Sequence, residues 1–124
     1  MRVFASILAL LFATPAFATG TVSCESPDQS AFVGLTVRSV PGAAIVGAAL
    51  GFGETQWSIE TGDIAVSQAF VEEGRWLIDF VDPNFERVMA SVRLVEAIEG
   101  EDYVLAGLLS VPGEGAWPLI CEGP

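Results

Sequence analysis

Carboxylates are the only abundant side chains in this sequence that can carry acid–base or metal chemistry. Sixteen Asp and Glu residues stand against five arginines, and the chain contains no histidine and no lysine. Without histidine there is no histidine-based nucleophilic triad, and the commonest zinc ligand is missing. Without lysine there is no Schiff-base chemistry. The residue types therefore predict a binding or interaction protein that is not an enzyme.

Two carboxylates interrupt otherwise apolar strand patterns, namely Asp79 and Glu96. A pair of carboxyl groups across a sugar bond is the machinery of a glycosidase, so the alternative function is a carboxylate-dependent cell-wall hydrolase. The competing interpretation is structural: each carboxylate lies at a strand end or binds an arginine such as Arg75 or Arg93. We expect the structural interpretation to hold.

A second set of oxygen-bearing side chains follows the run that ends at Val81. Asp82, Asn84 and Glu86 alternate along the chain, as ligands of a hard cation can, but they lack the spacing of an EF-hand loop. We expect no cofactor here, with calcium as the secondary alternative and a solvated turn as the main one. Trp57 lies between two polar residues and is the least core-like of three tryptophans. Trp57, Asp82, Asn84 and Glu86 are the candidate binding residues.

The stretch from Gly74 to Val111 supplies the elements that position these groups. It contains three apolar runs separated by turn signals at Asp82–Asn84 and Glu99–Asp102, a pattern typical of an antiparallel meander. Residues 83–99 also fit a helix with Asp82 as its N-cap. On a helix, however, Glu96 and Glu99 would fall in the apolar sector. A strand is therefore favoured.

Short apolar runs and turns continue through the rest of the chain. The predicted strands outside the meander are Phe32–Val40, Gly42–Gly53, Glu54–Glu60, Ile64–Val71 and Trp117–Cys121, the last carrying Pro118 and so expected at an edge or bulge. The fold class predicted is all-β, a small antiparallel meander-rich sandwich or barrel of about eight short strands.

The first eighteen residues have the three parts of a secretory signal peptide. Arg2 is the positive region, Val3–Phe12 is apolar, and Ala16–Ala18 is a small-x-small cleavage site. Residues 19–124 then form a single β domain, periplasmic or secreted, with no further apolar segment long enough to span a membrane. Exported proteins with an even number of cysteines favour disulfides, so Cys24 and Cys121 are predicted to join the terminal strands.

The charge balance restricts the partners. The full chain carries a net charge of −11, and removal of Arg2 with the signal peptide makes the mature chain more acidic by one unit. An acidic surface repels nucleic acid and anionic lipid, so both are excluded as partners. A cationic periplasmic protein, such as a cell-wall hydrolase, is the partner we expect.

The layout resembles that of the periplasmic inhibitors of c-type lysozyme. Those proteins have a small antiparallel barrel and a cysteine after the final strand, where this chain has Cys121. Their inhibitory loop carries a Ser-Gly-x-x-Tyr-like motif that this chain lacks, and the single tyrosine, Tyr103, is followed by Val104. The resemblance implies inhibition of a cationic hydrolase such as lysozyme as a further alternative, and no site residue is carried over.

Overall fold

The computed structural model describes residues 19–38 and 44–123, which form strands, turns and short connections. The predicted all-β class is confirmed. The described strands are β1 (Thr19–Glu25), β2 (Ala31–Arg38), β3 (Ala44–Phe52), β4 (Thr55–Ser58), β5 (Ala65–Glu72), β6 (Arg75–Val81), β7 (Val88–Glu99), β8 (Asp102–Val111) and β9 (Gly115–Glu122). The predicted signal peptide, Met1–Ala18, lies outside the described residues.

All nine strands belong to one antiparallel sheet. Their order is β4-β3-β2-β1-β9-β8-β7-β6-β5, so the first and last strands are neighbours in its middle. The sheet curls into a half-barrel, and this curl brings β5 against β3. Of the two alternatives that the sequence left open, sandwich or barrel, the single curled sheet favours the barrel.

Alternation along the strands produces the core on the concave side. Successive side chains of a strand point to opposite faces, and one face of each strand carries the larger apolar residues. The fully buried side chains with the largest volume are Phe80, Leu35, Leu50, Ile78, Leu94, Leu105, Leu109, Leu119, Val22, Val33 and Val92. Each such side chain contributes about 1.5–3 kcal/mol by leaving water.

Residues 88–99 form a strand, so the helical alternative for 83–99 is wrong. Trp76, Ile78 and Phe80 of β6 lie opposite Leu94, Val92 and Ala90 of β7, and this ladder buries both apolar faces together. Burial across the pair outweighs the favourable N-cap that Asp82 offers a helix.

Two expectations about the terminal strands need correction. No range was predicted for the terminal strand that carries Cys24, although Val22 and Cys24 alternate in β1 with polar residues. β9 lies inside the sheet rather than at its edge. However, its ladder with β1 covers only Ile120–Glu122, so Pro118 lies beyond the end of that ladder and removes no β1–β9 hydrogen bond.

Cys24 and Cys121 lie directly opposite each other on β1 and β9 and form a disulfide, as predicted. Among residues 19–38 and 44–123, no helix is long and apolar enough to cross a membrane.

Candidate functional site

Trp57 belongs to an aromatic cluster at one end of the sheet. Its ring meets Phe52 edge to face at a centroid distance of 5.2 Å, and Phe52 also contacts Trp117 at 5.3 Å. Trp57 and Trp117 are half-buried and pack against the core. Trp57 therefore fills volume at the end of the core, and only its remaining surface is open to a ligand.

Trp57 lies close to the end of the Asp82–Glu86 turn. Trp57, Arg87 and Glu114 border one cavity of about 220 Å³, which Met89 and Pro112 also line. Asp82, Asn84 and Glu86 are not among its lining residues. The structure thus brings Trp57 to the same end of the sheet as the turn without joining all four candidates in one site.

The Asp82 carboxylate organises its own turn. Its Oδ1 accepts hydrogen bonds from the backbone N–H groups of Glu86 (2.7 Å) and Arg87 (2.8 Å). The hydrogen bond from the Arg87 backbone is the largest cause that lowers the pKa of Asp82 below its usual value. Within the described part of the chain, no group of three or more His, Cys, Asp or Glu side chains could hold a metal ion. These two hydrogen bonds show that the Asp82 carboxylate stabilises its own turn.

Asp79 and Glu96 do not form a catalytic pair in this structure. Asp79 lies on the convex face of β6 and binds Arg93 at 2.8 Å, as the structural interpretation predicted. Glu96 shares the concave face of β7 with Leu94 and accepts a hydrogen bond from the hydroxyl of Tyr103 at 2.7 Å. Opposite faces of a sheet cannot flank one sugar bond.

The Tyr103 hydroxyl offers a direct optical test of this geometry. Partial burial, the hydrogen bond to Glu96 and the charge of Glu96 together raise its pKa to about 12. The folded pKa exceeds the unfolded value, so this contribution to stability is complete below about pH 10 and is lost as the pH rises through about 12.

Ultraviolet titration of phenolate absorbance should therefore give a midpoint near 12 in the folded protein. Tyr103 is the only tyrosine, so the signal has one source. Glu96→Gln should lower the midpoint part of the way, and denaturant should return it to about 10. A native midpoint near 10 would contradict the observed contact.

A surface depression lies on the convex face over β1. This β1 groove has a volume of about 600 Å³, and Phe32, Gly34, Glu25, Ile120 and Glu122 are among its lining residues. Phe32, Glu25 and Ile120 are consecutive across β2, β1 and β9, so one carboxylate lies between two apolar side chains. In the neighbouring row, Ser23 lies between Gly34 and Glu122.

Local packing holds one wall of the β1 groove. The Phe32 ring covers Gly51, its cross-strand partner on β3, and a Cβ at Gly51 would collide with that ring. Two residues further along β2, Gly34 has no side chain, and the nearest atom to a Cβ placed there is the Ala49 carbonyl oxygen at 3.9 Å. An aromatic ring fixed over one glycine and an open space at another produce the depression.

The carboxylates of the β1 groove are available for a ligand. Glu25 and Glu122 are exposed. The one ion pair found among residues 19–38 and 44–123 joins Arg93 to Asp79, so no described arginine neutralises either carboxylate. The β1 groove therefore combines negative charge with apolar walls.

Sequence reasoning did not single out these residues. The walls come from strands that are far apart in the chain, and periodicity within one strand cannot show which residues become neighbours across it. One local signal existed: Leu119, Ile120 and Cys121 are consecutive and apolar, so β9 must carry an apolar residue on its solvent face.

Comparison with known protein families, curated proteins and solved structures gives no match for this chain.

Proposed function

We propose that this chain is a non-catalytic binding domain of an exported protein, and that it recognises a basic region of a partner protein. The observation that carries the proposal is the β1 groove, in which Glu25 lies between the apolar side chains of Phe32 and Ile120 and Glu122 lies in the neighbouring row. The net charge of −11 adds long-range attraction for such a partner.

The chemistry of the β1 groove fits a lysine or arginine side chain. Such a side chain has an apolar stem, which the walls can cover, and a charged head, which a carboxylate can bind. Phe32 can also receive the cation on its ring face. A basic side chain thus finds a partner for each of its parts.

Export is part of the proposal. It rests on the charged, apolar and small-x-small regions of residues 1–18. The Cys24–Cys121 disulfide supports it, because such bonds persist mainly in oxidising compartments.

The first experiment uses defined basic probes with the oxidised protein. Calorimetric titration with c-type lysozyme and with an oligolysine peptide of about ten residues should show binding at ~20 mM salt that weakens progressively by ~150 mM. Lysozyme activity measured in the same mixtures separates inhibition from binding alone. Failure of both probes to bind at low salt, or binding indifferent to salt, would overturn the proposal.

Two kinds of variant locate the contact. Glu25→Gln with Glu122→Gln should weaken binding about tenfold, because two charged contacts are lost. Glu99→Gln with Glu101→Gln removes the same charge from the exposed β7–β8 turn and should change affinity far less.

Gly34→Phe tests the shape of the β1 groove without changing charge. A side chain at Gly34 meets open space, so the variant should fold normally while filling the groove, and binding should fall at least about tenfold. Gly34→Ala is the matched control and should bind nearly as the parent does. Equal affinity for Gly34→Phe and Gly34→Ala would place the basic partner elsewhere.

A further inference from the structure

A continuous apolar surface lies on the convex face of the last strands. This outer patch consists of Val95, Ala97, Val104, Ala106, Leu108, Pro118 and Ile120, which alternate with core residues along β7, β8 and β9. Val95 is 65% exposed, Ile120 60%, Val104 56% and Leu108 44%. A large contiguous patch of exposed apolar side chains usually marks a site of interaction with another molecule.

The strand register places opposite charges at the two ends of the outer patch. One row across the sheet reads Arg75, Val95, Ala106, Ile120 and Glu25, from β6 to β1. Ala106 is its middle residue, and each charged residue lies two strands away, or about 10 Å along the sheet. Both charged residues are exposed, and neither forms an ion pair within the described parts of the chain.

We propose that the outer patch binds a second copy of this chain through a two-fold axis that runs along β8 and passes Ala106. A two-fold interface brings the same patch of both copies together, so a residue on one side of the axis meets the residue on the other side. Val95 then meets Ile120 of the second copy. Val104, Ala106 and Leu108 lie on β8 along the axis, so each meets the same residue of the second copy. Arg75 meets Glu25 of the second copy, and this contact occurs twice.

The distribution of charge favours a second copy over an unrelated partner. A purely basic partner would find a complementary charge at Glu25 and a repelling one at Arg75. A second copy related by the two-fold axis places its Arg75 against Glu25 and its Glu25 against Arg75, so both charges are paired. Arg93 lies in the row of Leu108 and Pro118, but its guanidinium is bound to Asp79 in the next row, outside the patch.

The dimer is weak and reversible. A stable interface buries about 800 Å² on each partner, and seven mostly small or medium residues on a convex surface provide less. The two ion pairs are solvent-exposed and contribute at most ~1 kcal/mol each. Sedimentation velocity from ~5 µM to ~1 mM therefore covers the expected change from monomer to dimer.

Dimerisation also limits access to the β1 groove. Ile120 and Glu25 belong to both surfaces, so a second copy on the outer patch covers one wall of the groove and one of its carboxylates. Self-association and the binding of a basic partner are then competitive. The dimer itself does not depend on the proposed function, because it is measured without any partner.

The central test places charge on the axis. Ala106→Glu brings two carboxylates together across the axis, so this variant should remain monomeric at every concentration in the series. Ala116→Glu is the matched control. It adds the same charge at an exposed position on the same face of β9, in the row of Ser91 and Ser110 outside the patch, and should dimerise as the parent does.

A charge exchange tests the pairing independently of any folding defect at Ala106. Arg75→Glu and Glu25→Arg should each weaken the dimer about tenfold, because each turns two attractive contacts into repulsive ones. The double variant restores both contacts in reverse and should recover most of the affinity. A parent that stays monomeric to ~1 mM, or a double variant weaker than both single variants, would overturn the proposal.

Discussion

Removal of the Cys24–Cys121 disulfide should lower the free energy of unfolding by about 4–5 kcal/mol, a large part of the stability of a small domain. The bond joins residues 97 positions apart, so the unfolded chain gains much freedom when it is broken. It also fastens a short junction, because the β1–β9 ladder pairs only Ser23–Glu25 with Ile120–Glu122. Every other strand pair in the described sheet has a longer ladder.

The measurement is guanidinium unfolding followed by tryptophan fluorescence, with Cys24→Ala/Cys121→Ala compared with the parent. In a thermal scan, the unfolding midpoint of the double variant should lie about 20 °C below that of the oxidised parent. The parent in reducing buffer is the control and should lose nearly as much stability, because both conditions release the same loop. Coincident midpoints for the oxidised parent and the double variant would show that the junction does not limit stability.

Gly107→Ala should be the most damaging single substitution of a glycine, at about 3 kcal/mol or more. A Cβ at Gly107 would fall on the Arg93 carbonyl oxygen and would lie 2.8 Å from the Leu94 Cα. Both obstacles are backbone atoms of β7, so no side chain can move aside, and the two strands must separate in the middle of their ladder. The absence of a side chain therefore lets β7 and β8 approach each other closely.

Gly34→Ala is the control for this substitution, because it makes the same chemical change in a strand where the nearest atom is 3.9 Å away. Its unfolding free energy should stay constant or rise slightly, since alanine restricts the unfolded chain more than glycine does. If both variants unfold at the same denaturant concentration, the close approach at Gly107 has no energetic consequence.

The parts of the fold that depend on residues close together in the sequence could be predicted from the sequence. Each turn that connects β5 to β6, β6 to β7 and β7 to β8 has a local signal, and the meander follows from them. The terminal disulfide was predictable because two cysteines permit one pairing. No range was predicted for β1 because its alternation rests on only Val22 and Cys24 against a polar background.

The candidate site was less predictable, for a physical reason. Asp82 was predicted as a binding residue. A carboxylate before a proline and an asparagine can also bind its own backbone, and the sequence does not distinguish these two outcomes. The β1 groove needs Phe32 beside Glu25 and Glu25 beside Ile120. The second of these contacts joins residues from opposite ends of the domain, and only the tertiary fold creates it.

The order of the strands also has a consequence for how the chain folds. Most neighbouring strands in the sheet are also consecutive in the chain, namely β1 to β4 on one side and β5 to β9 on the other. Such pairs close over short loops and can form quickly. The β1–β9 pair must wait until both ends of the domain are present. We expect two hairpin stacks to form first and to join last at this pair. In the export that we propose, β1 would then pair early with β2 but would remain without β9 until nearly the whole chain has followed it.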